Sequence, residues 1–219
     1  MALIYVMSDI HGCLEEFEDA LSLVDLAGNN MLILLGDYIH GPNSYGVLDK
    51  VIWLQEKYGC DKVIALLGNH EEMVISEGYS ISDEGYSKCD KKDCIYIKWM
   101  MSLPYYYETD KQIFCHAGVD EDAEDMWKWG TSKHIFTGKF PAEKGQFYKD
   151  IIAGHVGTSV ISENPSYHDI YFDGESHYYI DGTVLESGVI PVLMIDTEQN
   201  KYYRLTEYGE LLIRPYDKN

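Results

Sequence analysis

Arginine is almost missing from this sequence: Arg204 and Arg214, both near its end, are the only two in 219 residues. Lysine and arginine together number 17 against 37 aspartates and glutamates, a formal charge of −20. That field repels phosphate backbones and excludes double-stranded nucleic acid as an expected partner. It also opposes any free polyanion unless bound cations reverse the sign locally. No apolar run reaches the ~18 residues of a membrane span, so no membrane partner is expected. The opening MALIYVMSDIHG has neither a basic lead nor a small-residue cleavage site, so no signal peptide is read and a cytoplasmic location is expected. Disulfide arithmetic fails too: Cys13, Cys60, Cys89, Cys94 and Cys115 are odd in number and match no zinc or disulfide spacing. Reduced thiols suit a cytoplasm. Cys89 and Cys94 flank a charged CDKKDC stretch, which reads better as two loop thiols than as a metal site.

What is present describes one ordinary core. Hydrophobic residues make up 46% of the chain and charged ones 25%, and the length suits a single domain over 1–219. Apolar runs at 2–7, 31–35 and 62–67 have strand length, and amphipathic spacing predicts helices over 13–27 and 44–58. Strand and helix alternating at this rhythm predict a parallel sheet covered by helices. The polar stretch 76–93 reads as a surface excursion, and 94–102 as a short helix. Beyond it the texture is β-rich, at 105–109, 112–116, 151–155, 178–181, 190–195 and 201–205, which suggests a second sheet packed on the first. Residues 120–150 show no clear period.

In five places an apolar run ends in a residue able to hold a metal. Asp9 and His11 follow the first, Asp37 the second, Asn69 and His70 the third, His116 follows QIFC, and His155 follows IIAG. Carboxyl ends of parallel strands are where open α/β sheets bind ligands. Taken singly, an Asp or Asn beside Gly is a turn residue, and a strand-end histidine is usually a hydrogen-bonded one. Five in succession are poorly explained that way. Two carboxylates, a carboxamide and several imidazoles suit manganese, iron or zinc rather than calcium.

These motifs, SDIHG (8–12), GDYI (36–39), GNHE (68–71), HAG (116–118) and GH (154–155), resemble in order those of the calcineurin-like metallophosphoesterase superfamily. The single histidine of GHVGT resembles its phosphoprotein phosphatase branch, which includes Ser/Thr protein phosphatases and symmetrical diadenosine tetraphosphate hydrolases. The resemblance implies an α/β fold of two stacked mixed β-sheets flanked by helices, the metallophosphoesterase sandwich. It implies two divalent metal ions, manganese first and iron or zinc as alternatives. Asp9 and His11 would hold the first, Asp37 would bridge both, and Asn69, His116 and His155 would hold the second. His70 would protonate the leaving alkoxide, and the substrate would be a phosphorylated protein or a nucleotide.

The second motif departs from the family's Gly-Asp-x-x-Asp-Arg-Gly. Here Gly36-Asp37-Tyr38-Ile39-His40-Gly41 lacks one residue, the second Asp and the phosphate-clamping Arg. The second family arginine, after a downstream Trp, is also missing from Met126-Trp127-Lys128-Trp129. A guanidinium grips phosphate through two parallel hydrogen bonds. Its loss leaves three readings: a phosphatase or phosphodiesterase with another clamp, a nucleotide-directed hydrolase, or a metal-bound relative that binds phosphorylated partners and turns over poorly. His40 and the lysines at 128, 133, 139 and 144 are the candidate clamps. His134, His168 and His177 match no motif and read as surface or structural.

Overall fold

The computed structural model describes residues 2–82 and 93–217. Its elements run β1 (Leu3–Met7), α1 (Leu14–Leu21), β2 (Met31–Leu34), α2 (Ser44–Tyr58), β3 (Val63–Ala65) and α3 (Asn69–Glu72), with a π-helical turn over Met73–Glu77. Next come α4 (Asp93–Met100), β4 (Tyr106–Glu108), β5 (Gln112–Cys115), a 3-10 segment Glu121–Met126, α5 (Trp127–Gly130) and α6 (Lys133–Gly138). The chain closes with β6 (Asp150–Ala153), α7 (Thr158–Ile161), β7 (Tyr171–Phe172), β8 (His177–Tyr179), α8 (Val184–Ser187), β9 (Val192–Asp196), β10 (Lys201–Thr206) and β11 (Gly209–Leu212). No helix among the described residues is long and apolar enough to cross a membrane.

Two mixed sheets result. The first has the order β11-β10-β9-β1-β2-β3 and the second β4-β5-β6-β8-β7. β1, β2 and β3 are parallel, as are β5, β6 and β8. Alternation along each strand sorts side chains between two cores. Ile4 and Val6 of β1, Leu193 and Ile195 of β9, Phe114 of β5 and Ile152 of β6 fill the space between the sheets. Tyr5 and Met7 turn instead toward α1 and α2, meeting Phe17, Val47, Leu48 and Val51. On the far side Ile113, Cys115, Ile151 and Ala153 pack under Trp127 and Phe136.

Several elements differ from expectation. The helix predicted over 13–27 ends at Leu21, where the Ser22 hydroxyl donates to the Asp19 carbonyl at 2.6 Å. Leu23 and Val24 continue in tighter turns, bonding the carbonyls of Ala20 and Leu21, and keep their apolar contacts there. The aperiodic stretch 120–150 holds the 3-10 segment and two short helices, anchored by the fully buried Trp127. β7 and β11 were not foreseen; β7 has two residues, and all of β11 is exposed. Of the excursion at 76–93, residues 83–92, including Cys89, lie outside the described residues.

Candidate metal centre

Parallel pairing brings the carboxyl ends of β1, β2 and β3 to one rim, and those of β5, β6 and β8 to another. Each chain must reverse within two or three residues of its strand. Asp9, His11, Asp37 and His155 accordingly take left-handed backbone, with φ of 53°, 45°, 57° and 66°. Outside glycine, Asp, Asn and His tolerate that region best. The first two loops then lie side by side: the N–H groups of Asp9, His11 and Gly12 donate to the carbonyls of Gly36, Asp37 and Tyr38 at 3.2, 2.9 and 2.9 Å.

Every residue read as a ligand arrives where the two rims meet. His11 Nε2 lies 3.9 Å from Asp9 Oδ1 and 3.8 Å from Asp37 Oδ2. His116 Nε2 is 3.3 Å from that Asp37 oxygen and 2.9 Å from Asn69 Oδ1. His155 Nδ1 reaches Asn69 Oδ1 at 2.9 Å, and His70 Nε2 is 3.8 Å from Asp37 Oδ2. Two groups have donor spacing suited to an ion, His11 with Asp37 and His70, and Asp37 with His116 and His155. Asp37 is common to both.

The donor set fits divalent cations on three grounds. His11 and His116 turn their Nδ1 atoms to the carbonyls of Ile39 and Leu35 at 3.2 and 3.1 Å. The neutral tautomer this selects leaves each Nε2 lone pair facing the centre, as a metal requires. In that tautomer His116 Nε2 confronts the amide oxygen of Asn69, acceptor against acceptor, which only a proton or a metal ion makes favourable. Finally, Asp9 and Asp37 are each 2% exposed, and no lysine or arginine among the described residues pairs with them. Buried charges persist when paired or coordinated.

The electrostatics agree. Burial pushes the Asp9 carboxyl up. Burial acts the same way on Asp37, but His116, His70 and His11 outweigh it and hold its carboxyl well below the usual carboxylate range. Burial lowers the His155 imidazole to about 4, with His116 adding to the effect. For His116 burial is outweighed by the Asp37 charge, and its imidazole rises to about 9.

Three contributors escape the sequence reading. Glu71 is fully buried and its carboxylate accepts the N–H groups of Asp37 (2.9 Å), Tyr38 (2.8 Å) and Gly68 (3.1 Å), pinning two rim loops together. Asp181 follows β8, parallel to β6, and burial together with the Asp9 charge lifts its carboxyl to about 8. Its signal was available: an apolar run ending in a residue able to hold a metal, as in the other five places. Gly154 is the third. A Cβ there would lie 2.1 Å from both Asp9 Oδ2 and Ser8 Oγ.

The expected phosphate clamps do not converge here. His40 is 6% exposed, and both ring nitrogens are engaged, Nδ1 with His70 Nδ1 at 2.6 Å and Nε2 with the Ser80 carbonyl at 2.7 Å. Neither is left for a phosphate. Lys128 pairs with Glu108, Lys133 lies over the Tyr105 ring, Lys139 pairs with Glu121 and Glu143, and Lys144 donates to the Ile161 carbonyl. A cavity of about 400 Å³ opens beside the rim, lined by Asn69, His155, Glu72, Glu77, His134 and Thr137 among others. A larger concavity, about 750 Å³, lies between α1 and the β10–β11 hairpin and holds none of the donors. Donor chemistry, not size, marks the site.

Comparison with known proteins is consistent with this geometry. The profile described as calcineurin-like phosphoesterase matches residues 2–190. The symmetrical bis(5'-nucleosyl)-tetraphosphatase of Vibrio campbellii is 30% identical over 140 residues, 59% of this chain and 48% of that protein. Its counterpart in Chromobacterium violaceum is 32% identical over 142 residues, 60% of this chain and 47% of that one. The chain thus aligns with about half the length of these curated relatives. Among solved structures, a mutant cold-active protein tyrosine phosphatase superposes with a TM-score of 0.69 at 14% identity, covering 97% of this chain and 80% of that one. A protein serine/threonine phosphatase from Saccharomyces cerevisiae gives 0.62 at 12% identity, covering 100% and 81%. Both likenesses are of fold.

Proposed function

Since the chain belongs to the calcineurin-like phosphoesterase family, we propose that it hydrolyses phosphoesters with water at a two-metal centre, as a phosphatase of the Ser/Thr phosphoprotein phosphatase type. One observation carries the reading: six donors from five strand ends, with His70 beside them, meet around the shared Asp37 carboxylate. Asp9 and His11 would hold one ion, Asn69, His116 and His155 the other, and Asp37 both. Manganese suits the mixed oxygen and nitrogen set, with iron or zinc as alternatives. Bound there, a pair of divalent ions supplies Lewis acidity and positive charge for an in-line displacement.

The chain's own residues do the rest. Asp37 Oδ1 accepts the His70 N–H at 3.0 Å, which ties the acid's backbone to the bridging carboxylate. His70 Nε2 faces the same centre and would hand its proton to the departing alkoxide. With no guanidinium in reach, phosphate affinity rests on the ions and on weaker donors.

A second reading, a dinucleoside polyphosphate hydrolase or phosphodiesterase, has the tetraphosphatase relatives in its favour. A phospho-binding relative with little turnover is third. The free-thiol chemistry of the buried Cys13 and Cys115 accords with a cytoplasmic location. The deciding experiment joins metal analysis to a manganese-supplemented screen over p-nitrophenyl phosphate, its bis ester, phosphopeptides and dinucleoside polyphosphates. Two ions per chain and phosphomonoester turnover are expected, both largely lost in Asp37→Asn. Turnover of dinucleotides alone would select the second reading, and tight metal binding without turnover the third. One ion or none at saturating manganese would overturn the two-metal centre.

A further inference from the structure

The place where the second motif departs from its family has been rebuilt into a two-histidine contact. His40 sits at the tip of the β2 loop in left-handed backbone, φ 64°, with its ring at 62° to that of His70 and 4.9 Å between centroids. The Tyr79 ring is tilted beside it, 6.4 Å between centroids. Proton bookkeeping fixes how these rings are wired. The Ser80 carbonyl, 2.7 Å from His40 Nε2, can only accept, so that nitrogen carries hydrogen. A neutral His40 then presents a bare lone pair at Nδ1. The nitrogen facing it at 2.6 Å, His70 Nδ1, must be the donor.

We propose that His40 is the positioning residue of His70: through the Ser80 carbonyl it keeps hydrogen on His70 Nδ1, so that Nε2 alone faces the centre, where the imidazolium gives its Nε2 proton to the leaving oxygen and is left as the neutral Nδ1–H tautomer. The inference rests on reading His70 as the general acid. A neutral imidazole anchored to a backbone carbonyl here does, by acceptance alone, what a carboxylate would otherwise do for a catalytic histidine. It also explains the burial of His40 and why neither nitrogen is free to bind phosphate. The carbonyl it uses lies just past the π-helical turn whose Met73, Ser76 and Glu77 line the cavity beside the rim, so the wall of that cavity and the orientation of the acid share one segment.

Two measurements test this. In the metal-free protein, ¹⁵N spectra of the imidazole rings at alkaline pH should show His70 protonated at Nδ1 and His40 at Nε2. His40→Gly, which keeps the left-handed backbone free of strain, should abolish the His70 signature. An Nε2–H tautomer for His70 in the wild type would overturn the proposal. Kinetically, His40→Gly should slow phenyl phosphate about 10–100-fold more than p-nitrophenyl phosphate, the usual scale for removing a histidine's orienting partner. His40→Asp, which can accept from His70 Nδ1 and tolerates positive φ, should recover most of that difference. Adding His40→Gly to His70→Asn should cost nothing further. Equal losses on both esters in His40→Gly, beside a His70→Asn that does discriminate, would overturn the role of His40. A His70→Asn that fails to discriminate would instead remove the acid assignment itself.

Discussion

Three backbone N–H groups, from Asp37, Tyr38 and Gly68, converge on one buried carboxylate, that of Glu71. Hydrogen bonds to a charged group contribute about 1.5–3 kcal/mol each, and Glu71→Gln keeps the shape while turning an amide donor toward those donors. The variant should lose about 1.5–3 kcal/mol of stability, read by urea unfolding, and should bind manganese more weakly by calorimetry, although its side chain touches no ion. A variant as stable as wild type would show that the loops are held by packing alone. Nothing in GNHE announces this role. The glutamate's partners at 37 and 38 become neighbours only when β2 and β3 pair. The six expected donors were legible for the opposite reason, since each lies within a few residues of the end of an apolar run.

Strand ends govern the next scale. Because β1 and β6 belong to different sheets, the approach of Asp9 to the 154–155 turn depends on a glycine: the His155 N–H donates to Asp9 Oδ2 at 3.0 Å, and no Cβ fits at Gly154. Gly154→Ala should therefore leave the far-ultraviolet circular dichroism near wild type while lowering metal content below two ions per chain. Unchanged content would mean that Asp9 can retreat without leaving the centre. β8 offers a different test. His177 donates from Nδ1 to Asp173 and the Gly145 carbonyl, and from Nε2 to Glu121, each within 3.1 Å, and Lys139 pairs with the same Glu121 oxygen. Burial alone would depress its imidazole, but Glu121 and Asp173 outweigh burial and raise it above the usual value. Folding thus favours the protonated ring. The resulting stability is complete below the unfolded value of ~6.5 and is lost as pH climbs through the folded one. Thermal unfolding from pH ~6 to ~9 should show Tm falling in the wild type. His177→Gln should be less stable at pH ~6 by ~3 kcal/mol and show a flatter slope; a parallel slope would assign the pH dependence elsewhere. At this scale α2 was read to the residue, because its apolar face is broad and its cap strong: the Asn43 side chain accepts the Gly46 N–H. β11 was not, since a strand exposed throughout carries no alternation to read.

Charge belongs to the whole molecule. With 37 acidic against 17 basic residues, and with Glu72 and Glu77 on the cavity wall beside the rim, an anionic substrate approaches uphill. Screening relieves that approach as the Debye length shrinks from ~30 Å at 0.01 M to ~10 Å at 0.1 M salt. The kcat/KM for p-nitrophenyl phosphate should rise over that range at fixed manganese. A fall would show that the bound cations, not the acidic shell, set the field the substrate meets. Composition alone made this legible, because net charge needs no fold, whereas the sites of the lysines did need one.

The left-handed turns at Asp9, His11, Asp37 and His155 have a consequence for how such a centre can drift in evolution. Asp, Asn and His are the side-chain-bearing residues that positive φ tolerates best, and they are also oxygen and nitrogen donors for metals. The backbone therefore restricts these positions to a short vocabulary, nearly all of which can still coordinate. Exchanges within it, Asp for Asn or Asn for His, change ligand charge and hardness while leaving the turn intact, so the preferred ion can shift without the fold being renegotiated. Glutamate or glutamine, equally able to coordinate, is accommodated less readily by such a turn than these three.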